Sequence, residues 1–380
     1  MHSALLPPEL PTLGRVVVER GCLATLGAEA RALGGRRVLL VTDPGLETAG
    51  HPKRAAASIL DAGLEVFVFD GVKENPTERE VDAGVAVAHA HAIDLIVAVG
   101  GGSSMDCAKG INFILTNGGR MADYKGHGKA TQPMLPSIGV PTTAGTGSEA
   151  QSYALITDES THMKMACGDK KAAFRTVLLD VDVTLSQPRG VTAVTGIDAI
   201  AHAVESLVCT KANDVSRRAS LEAWRRLEPN FETVLAEPHN VDARSAMQLG
   251  AHLAGAAIEN AMLGVCHSCA NPLTAHYGLT HGVAIGILLP QVVRYNAAVA
   301  AAEYEMLTEI AGLKSVEALA ERLADLAAVA GLPRSLAEAG VDEGLLPLLA
   351  DEANQQWTAR FNPREVDEET ILTIYKSAFR

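Results

Sequence analysis

The sequence predicts an α/β domain built on a parallel sheet, residues 1–187, followed by an all-helical domain, residues 188–380. Three observations predict it. Short apolar runs alternate with helical stretches between residues 36 and 100, and such alternation calls for parallel strands joined by crossover helices. The last of these runs opens directly into glycines at 100–102, a strand-to-helix turn. Beyond Pro188 the chain turns Ala-rich, with apolar residues at helical spacing and few β-branched runs. The boundary falls where SQPRG interrupts both patterns.

Residues 1–35 read as an extended start, PTLGRVVVERG, and a helix through LATLGAEARALGG. RRVLLVTD (36–43) is a short apolar run ending in a turn, the mark of a buried parallel strand. A helix near 51–62 leads to the strand LEVFVFD (64–70), the turn GVKENPT and a helix from Glu78 to His91. DLIVAVG (94–100) then runs into GGSSMDCAKG. After the turn KGHGK, the stretches PSIGVPTTAGTGSE, YALITDESTHMKM and RTVLLDVDVTL read as further strands that close the sheet and cover its cleft. In the second domain ASLEAWRRLEPNFETVLAE, AMQLGAHLAGAAIENAMLG and VEALAERLADLAAVAGL carry helical periodicity, and 332–350 reads as short helices joined by turns.

Composition excludes several classes of function. The chain has 380 residues, 48% of them hydrophobic and only 4% aromatic, which is ample material for aliphatic cores. A formal net charge of -13 without a Lys/Arg block offers no footprint for nucleic acid or an anionic membrane. MHSALLPPELPTLG lacks a basic segment followed by an apolar one, so no signal peptide is expected. No window reaches membrane-span length free of Gly, His or charge. Six scattered cysteines make no disulfide framework and fit a reducing cytoplasm.

Two loops and two isolated residues point to a nucleotide. Gly100, Gly101, Gly102 and Ser103 end a strand and open a helix, where glycines let backbone approach a pyrophosphate and free N–H groups favour an anion. The run is not G-x-G-x-x-G, and a tight turn that binds nothing is the plain alternative. Asp43 ends the first parallel strand; a carboxylate there accepts the hydroxyls of an adenosine ribose and repels a 2′-phosphate, favouring NAD over NADP. Its plain alternative is an Asx turn before Pro44. In PTTAGTGSE, Thr142, Thr143, Thr146 and Ser148 supply donors of little bulk to a nicotinamide or phosphate. Lys164 could reach a ribose or phosphate, although most lone lysines are solvated.

Asp198 and His202 lie four apart in TGIDAIAHAVE, one above the other on a helix face. His267 and His281 lie fourteen apart, and at about 100° per residue they also share a face if one helix persists between them. Three imidazoles and a carboxylate suit a divalent first-row metal such as iron or zinc. Any one of the four alone would be read as a packed core residue. His276 points to the far side of the same helix, and Cys266 and Cys269 read as small buried packing residues.

With these residues in view, the chain resembles the iron-containing (group III) alcohol dehydrogenase family over essentially its whole length. The resemblance is carried by VTDPGL, GGGSSMDCAKG, PTTAGTGSE, ITDE with Lys164, TGIDAIAHAVE and CHS…HG. It implies an N-terminal Rossmann-like domain, an all-helical C-terminal domain (the dehydroquinate synthase-like fold), a cleft between them, and a homodimer or larger assembly. It implies that Asp198, His202, His267 and His281 bind one metal, iron or else zinc. It also implies that Asp43, Asn75, Gly101, Gly102, Ser103, Thr142, Thr143 and Lys164 hold NAD. The expected partner is a small alcohol, aldehyde or ketone, and no nucleic acid or membrane. Where many members carry a further His four residues after the third ligand, this chain has Asn271, which can hold a water or a hydroxyl but cannot titrate. Asn271 is therefore the candidate at the proton path. Two alternatives share the scaffold: a metal- and NAD-dependent lyase or synthase of dehydroquinate synthase type, and a maleylacetate reductase-like enzyme, which needs no metal.

Overall fold

The computed structural model describes residues 12–160 and 163–380, so the expectations for residues 1–11 and for Thr161 and His162 lie outside the described residues. The chain forms two compact units. One holds the residues up to Thr143 and Gly147–Gln187, and the other holds Ala144–Thr146 and Pro188–Arg380.

The first unit starts with β1 (Arg15–Val18), α1 (Leu26–Ala32), β2 (Arg37–Val41), α2 (His51–Asp61) and β3 (Glu65–Phe69). It continues with α3 (Glu78–Ala90), β4 (Leu95–Gly100), α4 (Gly102–Asn117), the two-residue β5 (Gly126–His127) and β6 (Ser137–Pro141). It closes with β7 (Tyr153–Thr157), β8 (Lys164–Gly168) and β9 (Thr176–Leu179). Six strands form one wholly parallel sheet in the order β1-β9-β6-β4-β2-β3. β4 is buried along its whole length, as its unbroken apolar run LIVAVG requires. Below the sheet, Val38, Leu40, Val97, Val99 and Ile138 pack with Leu26 of α1 and Ile59 of α2 in a continuous core. Helix α3 begins with a capping box, in which Thr77 and Glu80 satisfy each other's backbone ends.

One expectation is corrected here. β7 and β8 do not close the main sheet. They pair antiparallel, with β8 also taking β5 in parallel, as a separate three-stranded sheet in the order β5-β8-β7. Their largely alternating buried and half-exposed pattern marks strands with one covered face, unlike the fully buried β4, β6 and β9 of the main sheet.

The strand order also locates a switch point. The chain leaves β2 toward β3 on one side and returns to β4 on the other. In open parallel sheets a ligand crevice forms outside the carboxyl ends of the strands at such a reversal. β2 ends at Val41, two residues before Asp43, and β4 ends at Gly100, after which α4 opens at Gly102.

The second unit is helical: α5 (Arg189–Val208), α6 (Asp214–Ala236), α7 (Val241–Asn260), α8 (Val265–Tyr277), α9 (His281–Ala311), α10 (Val316–Val329), α11 (Leu346–Gln355) and α12 (Glu368–Ser377). α6 and α10 start on the side-chain caps Asn213 and Ser315, which accept from the first free N–H groups. α5 is the central element, packed on α6, α7 and α9. α5 and α9 are long and apolar enough to cross a membrane, but 83% of the α5 window and 61% of the α9 window are buried. The apolar faces of α5 are thus occupied by neighbouring helices. Of the 332–350 stretch, only the end is a regular helix, α11.

Candidate active site

At the carboxyl edge of the large sheet, Asp43 is half-buried and its carboxylate accepts from Ser104 Oγ at 3.2 Å. It makes no side-chain cap to the short turn that follows, so it is not the Asx cap that its place before Pro44 allowed. The next strand runs through Gly100 into α4, whose start carries no side-chain cap. A Cβ on Gly100 would lie 2.3 Å from Ser104 Oγ and 3.2 Å from Asp43, so the turn is packed to the limit a glycine permits. Gly101, Gly102 and Ser103 sit half-exposed at the opening of a sixteen-residue helix, the arrangement of free N–H groups that favours an anion.

Asn75 follows β3 and adopts a left-handed backbone, φ 52°, with its N–H donating to Ser103 Oγ at 3.2 Å. Asn is one of the few non-glycine residues that tolerates this region. Thr142 and Thr143 follow β6; the N–H of Thr142 continues the sheet to the Gly100 carbonyl at 2.9 Å, and Thr143 sits half-exposed beside Gly101. The structure thus brings Asp43, Asn75, Gly101–Ser103, Thr142 and Thr143 to one edge. Lys164 opens β8 in the smaller sheet and is half-buried, close enough to Asp106 of α4 for its charge to act on that carboxylate.

Ser148 departs from expectation. It is buried and donates to Asp106 Oδ1 at 2.6 Å, while Lys109 Nζ donates to its carbonyl and hydroxyl at 2.7 and 2.8 Å. Lys109 completes its three donations on the Tyr153 carbonyl at 2.7 Å. Ser148 therefore anchors the loop to α4 rather than offering a donor to a ligand.

The second site lies in the helical unit. Asp198 and His202 are one turn apart on α5, as their spacing predicts, and both are buried. Asp198 Oδ1 is the common point: His202 Nε2 lies 3.3 Å away, His267 Nε2 3.5 Å and His281 Nε2 3.6 Å. The His202 and His267 rings stack with centroids 4.9 Å apart, and the His281 ring is tilted 5.3 Å from that of His267. Ligand atoms of Asp198, His267 and His281 all fall within 4.8 Å of one another. His202 is outside that tighter set but shares the same carboxylate oxygen.

The route to His281 is a correction. No single helix carries His267 and His281. α8 ends at Gly278 in the left-handed region, and His281 is the first residue of α9. What brings it to Asp198 is the next residue. A Cβ on Gly282 would lie 2.1 Å from the Val194 carbonyl oxygen, so α9 starts directly against the α5 backbone. His276 is on the exposed side of α8 and pairs with Glu352 at 2.8 Å. All six cysteines are free and buried, and burial pushes the thiols of Cys266 and Cys269 upward, as expected of packing residues.

The electrostatics fit a cation. Burial works against the Asp198 carboxylate, but the surrounding imidazoles outweigh it and hold its pKa far below the usual range. Burial lowers His202 to about 4, so that ring is neutral. For His267 burial is outweighed by the Glu205 and Asp198 carboxylates, which raise it to about 9. Asp198 Oδ1 and His267 Nε2 are buried, face each other, and make no hydrogen bond of normal geometry. Two such buried polar atoms are costly unless something else satisfies them. The donor set, nitrogen-rich with one carboxylate, fits a divalent first-row metal.

Glu205 is a residue that sequence reasoning passed over. It is 2% exposed on α5, three residues after His202, and its carboxylate contacts His267 Nδ1 and accepts from the Cys266 N–H at 2.8 Å. The available signal was an acid on an otherwise Ala-rich apolar helix, on the face shared by Asp198 and His202. Asn271 lies one turn beyond His267 on α8, half-buried, with its amide donating to Gln356 Oε1 at 3.2 Å.

Residues 12–181 match the family described as "Iron-containing alcohol dehydrogenase", and residues 192–379 match "Fe-containing alcohol dehydrogenase family, C-terminal". The 1,3-propanediol dehydrogenase of Klebsiella pneumoniae is 35% identical over 367 residues, covering 94% of this chain and 95% of that protein. The NAD-dependent methanol dehydrogenase of Bacillus methanolicus is 32% identical, covering 95% and 97%. Among solved structures, an alcohol dehydrogenase from Oenococcus oeni superposes with a TM-score of 0.94 at 31% identity, covering 98% of this chain and all of that one.

Proposed function

We propose, from the premise that the chain belongs to the iron-containing alcohol dehydrogenase family, that it is an NAD-dependent, metal-dependent oxidoreductase for small alcohols. In the net reaction an alcohol and NAD+ give an aldehyde or ketone, NADH and a proton, and the reverse reduces the carbonyl. The observation that carries the reading is the convergence of three imidazole nitrogens, 3.3 to 3.6 Å away, on a buried Asp198 oxygen that makes no hydrogen bond of normal geometry among the described residues.

Asp198, His202, His267 and His281 would hold the metal, iron or zinc, which supplies Lewis acidity to the substrate oxygen. Asp198 offsets part of the metal charge, and its depressed pKa keeps it ionised for that task. The buried imidazoles add no charge when they ligate, which leaves the site net positive toward a developing oxyanion. Asn271, on the same face of α8 as His267, can orient a water or a second hydroxyl but cannot pass on a proton by ionising. Relatives named for 1,3-propanediol and methanol support short alcohols and diols as the substrate class.

Asp43, Asn75, Gly101, Gly102, Ser103, Thr142, Thr143 and Lys164 would hold NAD. The half-buried Asp43 carboxylate supports NAD over NADP, because a 2′-phosphate would meet a like charge. The intact Asp–His set argues against the maleylacetate reductase-like alternative, which has no use for it. Six free buried cysteines suit the reducing cytoplasm, and a homodimer or larger assembly completes the reading. The test is purification without oxygen, measurement of bound metal, and a screen of short alcohols, diols and aldehydes with both nicotinamide cofactors. About one iron or zinc per chain with NADH formation is expected. Metal-free protein with full activity would sink the mechanism, and NAD consumption with no net NADH would point to the lyase alternative.

A further inference from the structure

We infer that Glu205 is a positioning residue that fixes the His267 ring in the one tautomer able to ligate through Nε2, and thereby sets the affinity of the cluster for divalent metal. The inference rests on the metal reading above. Its basis is a two-point bridge. One carboxylate oxygen of Glu205 accepts from the backbone N–H of Cys266 at 2.8 Å, and the other contacts His267 Nδ1. A carboxylate only accepts, so Nδ1 carries the hydrogen and donates; in the neutral ring, the form that ligates, Nε2 on the Asp198 side is then the nitrogen left with a lone pair.

The same bridge holds the start of α8. Cys266 is its second residue, and the N–H of the first, Val265, is taken by Asn362 Oδ1 at 3.3 Å. Both anchors come from outside the helix, one of them from α5 itself. α5 therefore supplies Asp198 and His202 directly and governs His267 through Glu205. Hydrogen bonding to the second nitrogen of a ligating His orients the ring and raises its basicity, and loss of such a partner typically costs about 10–100-fold in metal affinity.

Glu205→Gln separates geometry from bulk. Gln has one accepting oxygen where the bridge needs two. With that oxygen on Cys266, the amide NH2 faces Nδ1 and favours the opposite tautomer, which places a hydrogen on the nitrogen that must ligate. With the oxygen on Nδ1, the NH2 opposes the Cys266 N–H.

The experiment measures Zn2+ affinity of metal-stripped full-length protein by chelator competition, and the visible spectrum of the Co2+ form, for wild type, Glu205→Gln and His202→Ala. Expected are one Zn2+ per chain in wild type, a 10–100-fold weaker constant with an altered Co2+ spectrum in Glu205→Gln, and loss of the site in His202→Ala. A role confined to capping α8 would lower the melting temperature but leave the Co2+ spectrum unmoved. If His202→Ala loses the metal while Glu205→Gln keeps the wild-type constant and spectrum, the Glu205 inference falls and the metal reading stands. If His202→Ala binds Zn2+ as wild type does, both fall. Should Glu205→Gln fail to fold, ring-15N histidine spectra of Zn2+-loaded wild type decide. The signal assigned to His267 by its absence in His267→Gln should show Nδ1 protonated, and an Nε2-protonated ring would overturn the inference.

Discussion

At the carboxyl edge of the six-stranded sheet, the groups offered to a ligand are backbone N–H groups and small polar side chains, most of them half-exposed at loop ends. Around Asp198 they are side-chain atoms on helices, with Asp198, His202 and His267 each no more than 6% exposed. The backbone N–H groups of the first arrangement do not depend on the side chain attached to them, although Gly100 has no room for a Cβ. The second arrangement does depend on its side chains, because each buried donor must find its partner or remain costly. A further difference is local to each unit: Asp43, Asn75, Gly101, Gly102, Ser103, Thr142, Thr143 and Lys164 fall in the first compact unit, whereas the loop residue Thr146 and all four candidate metal ligands fall in the second. If each set works as built, the two functions should be separable by mutation.

The largest expected effect tests that separation. His267→Ala or Asp198→Ala should abolish metal binding and lower kcat/KM by about a thousandfold or more, since Lewis-acid stabilisation is worth several kcal/mol and each 1.36 kcal/mol is tenfold. NAD affinity, read by fluorescence titration of the metal-free protein, should change less than about threefold, well under 1 kcal/mol. A parallel collapse of NAD binding would show that the two sites are not independent. Next in size is Asp43→Asn. Losing a charged acceptor costs about 1.5–3 kcal/mol, so NAD should weaken by about 10–100-fold, while discrimination against NADP shrinks because the repelling charge is gone. Metal content should stay at the wild-type value.

How far each site can be read from sequence follows from the same contrast. Asp198 and His202 were legible because a spacing of four on a helix leaves one geometric outcome. His267 and His281 were legible as candidates but not by the right route, since the fourteen-residue spacing argument needs a helix that stops at Gly278. Their convergence depends on Gly282 against Val194, a contact between distant parts of the chain that no local pattern encodes. Glu205 was missed because its partner is on another helix. In the first unit, alternating elements announce parallel strands, yet nothing local says that β4 lies beside β2 or that β7 and β8 leave the main sheet. Periodicity identifies a strand and its covered face, not its neighbour. Ser148 shows the same limit: a serine in a Gly/Thr loop reads as a ligand donor until the buried Lys109 and Asp106 are seen to claim it.

Gly282→Ala sharpens the comparison from the helical side. The added methyl would meet the Val194 carbonyl at 2.1 Å, and backbone cannot rotate away as a side chain can. Forcing α9 from α5 should cost about 1–3 kcal/mol of stability. Because His281 is the adjacent residue, Zn2+ affinity should fall with it, while NAD affinity holds. A variant as stable as wild type and with unchanged metal affinity would show that the approach of α9 does not place His281.

The smallest effect is expected from Thr77→Ala, on the side of the sheet edge. Thr77 caps α3 two residues after Asn75: its hydroxyl accepts from the Arg79 N–H at 3.2 Å and has two carboxylate acceptors in reach, Glu80 at 2.7 Å and Glu159 at 3.0 Å, while its own N–H reaches the Glu80 carboxylate at 3.0 Å. Loss of such a cap costs about 1 kcal/mol. The cost should depend on pH, and its sign follows from Glu80. Burial alone would raise that carboxyl, but the Thr77 hydroxyl and N–H, with Lys73 at 3.3 Å, outweigh it and hold the pKa below the ordinary value. A group depressed in the folded state contributes its stability above the unfolded pKa and loses it as pH falls through the folded one. The gap between wild type and Thr77→Ala in urea unfolding should therefore be widest near neutral pH and narrow on acidification. A gap that stays constant would place the whole effect in the Arg79 N–H cap and none in the Glu80 or Glu159 carboxylates. NAD affinity should shift by no more than about twofold, under half a kcal/mol, because a site made from backbone groups at a sheet edge keeps its shape when one nearby cap is weakened.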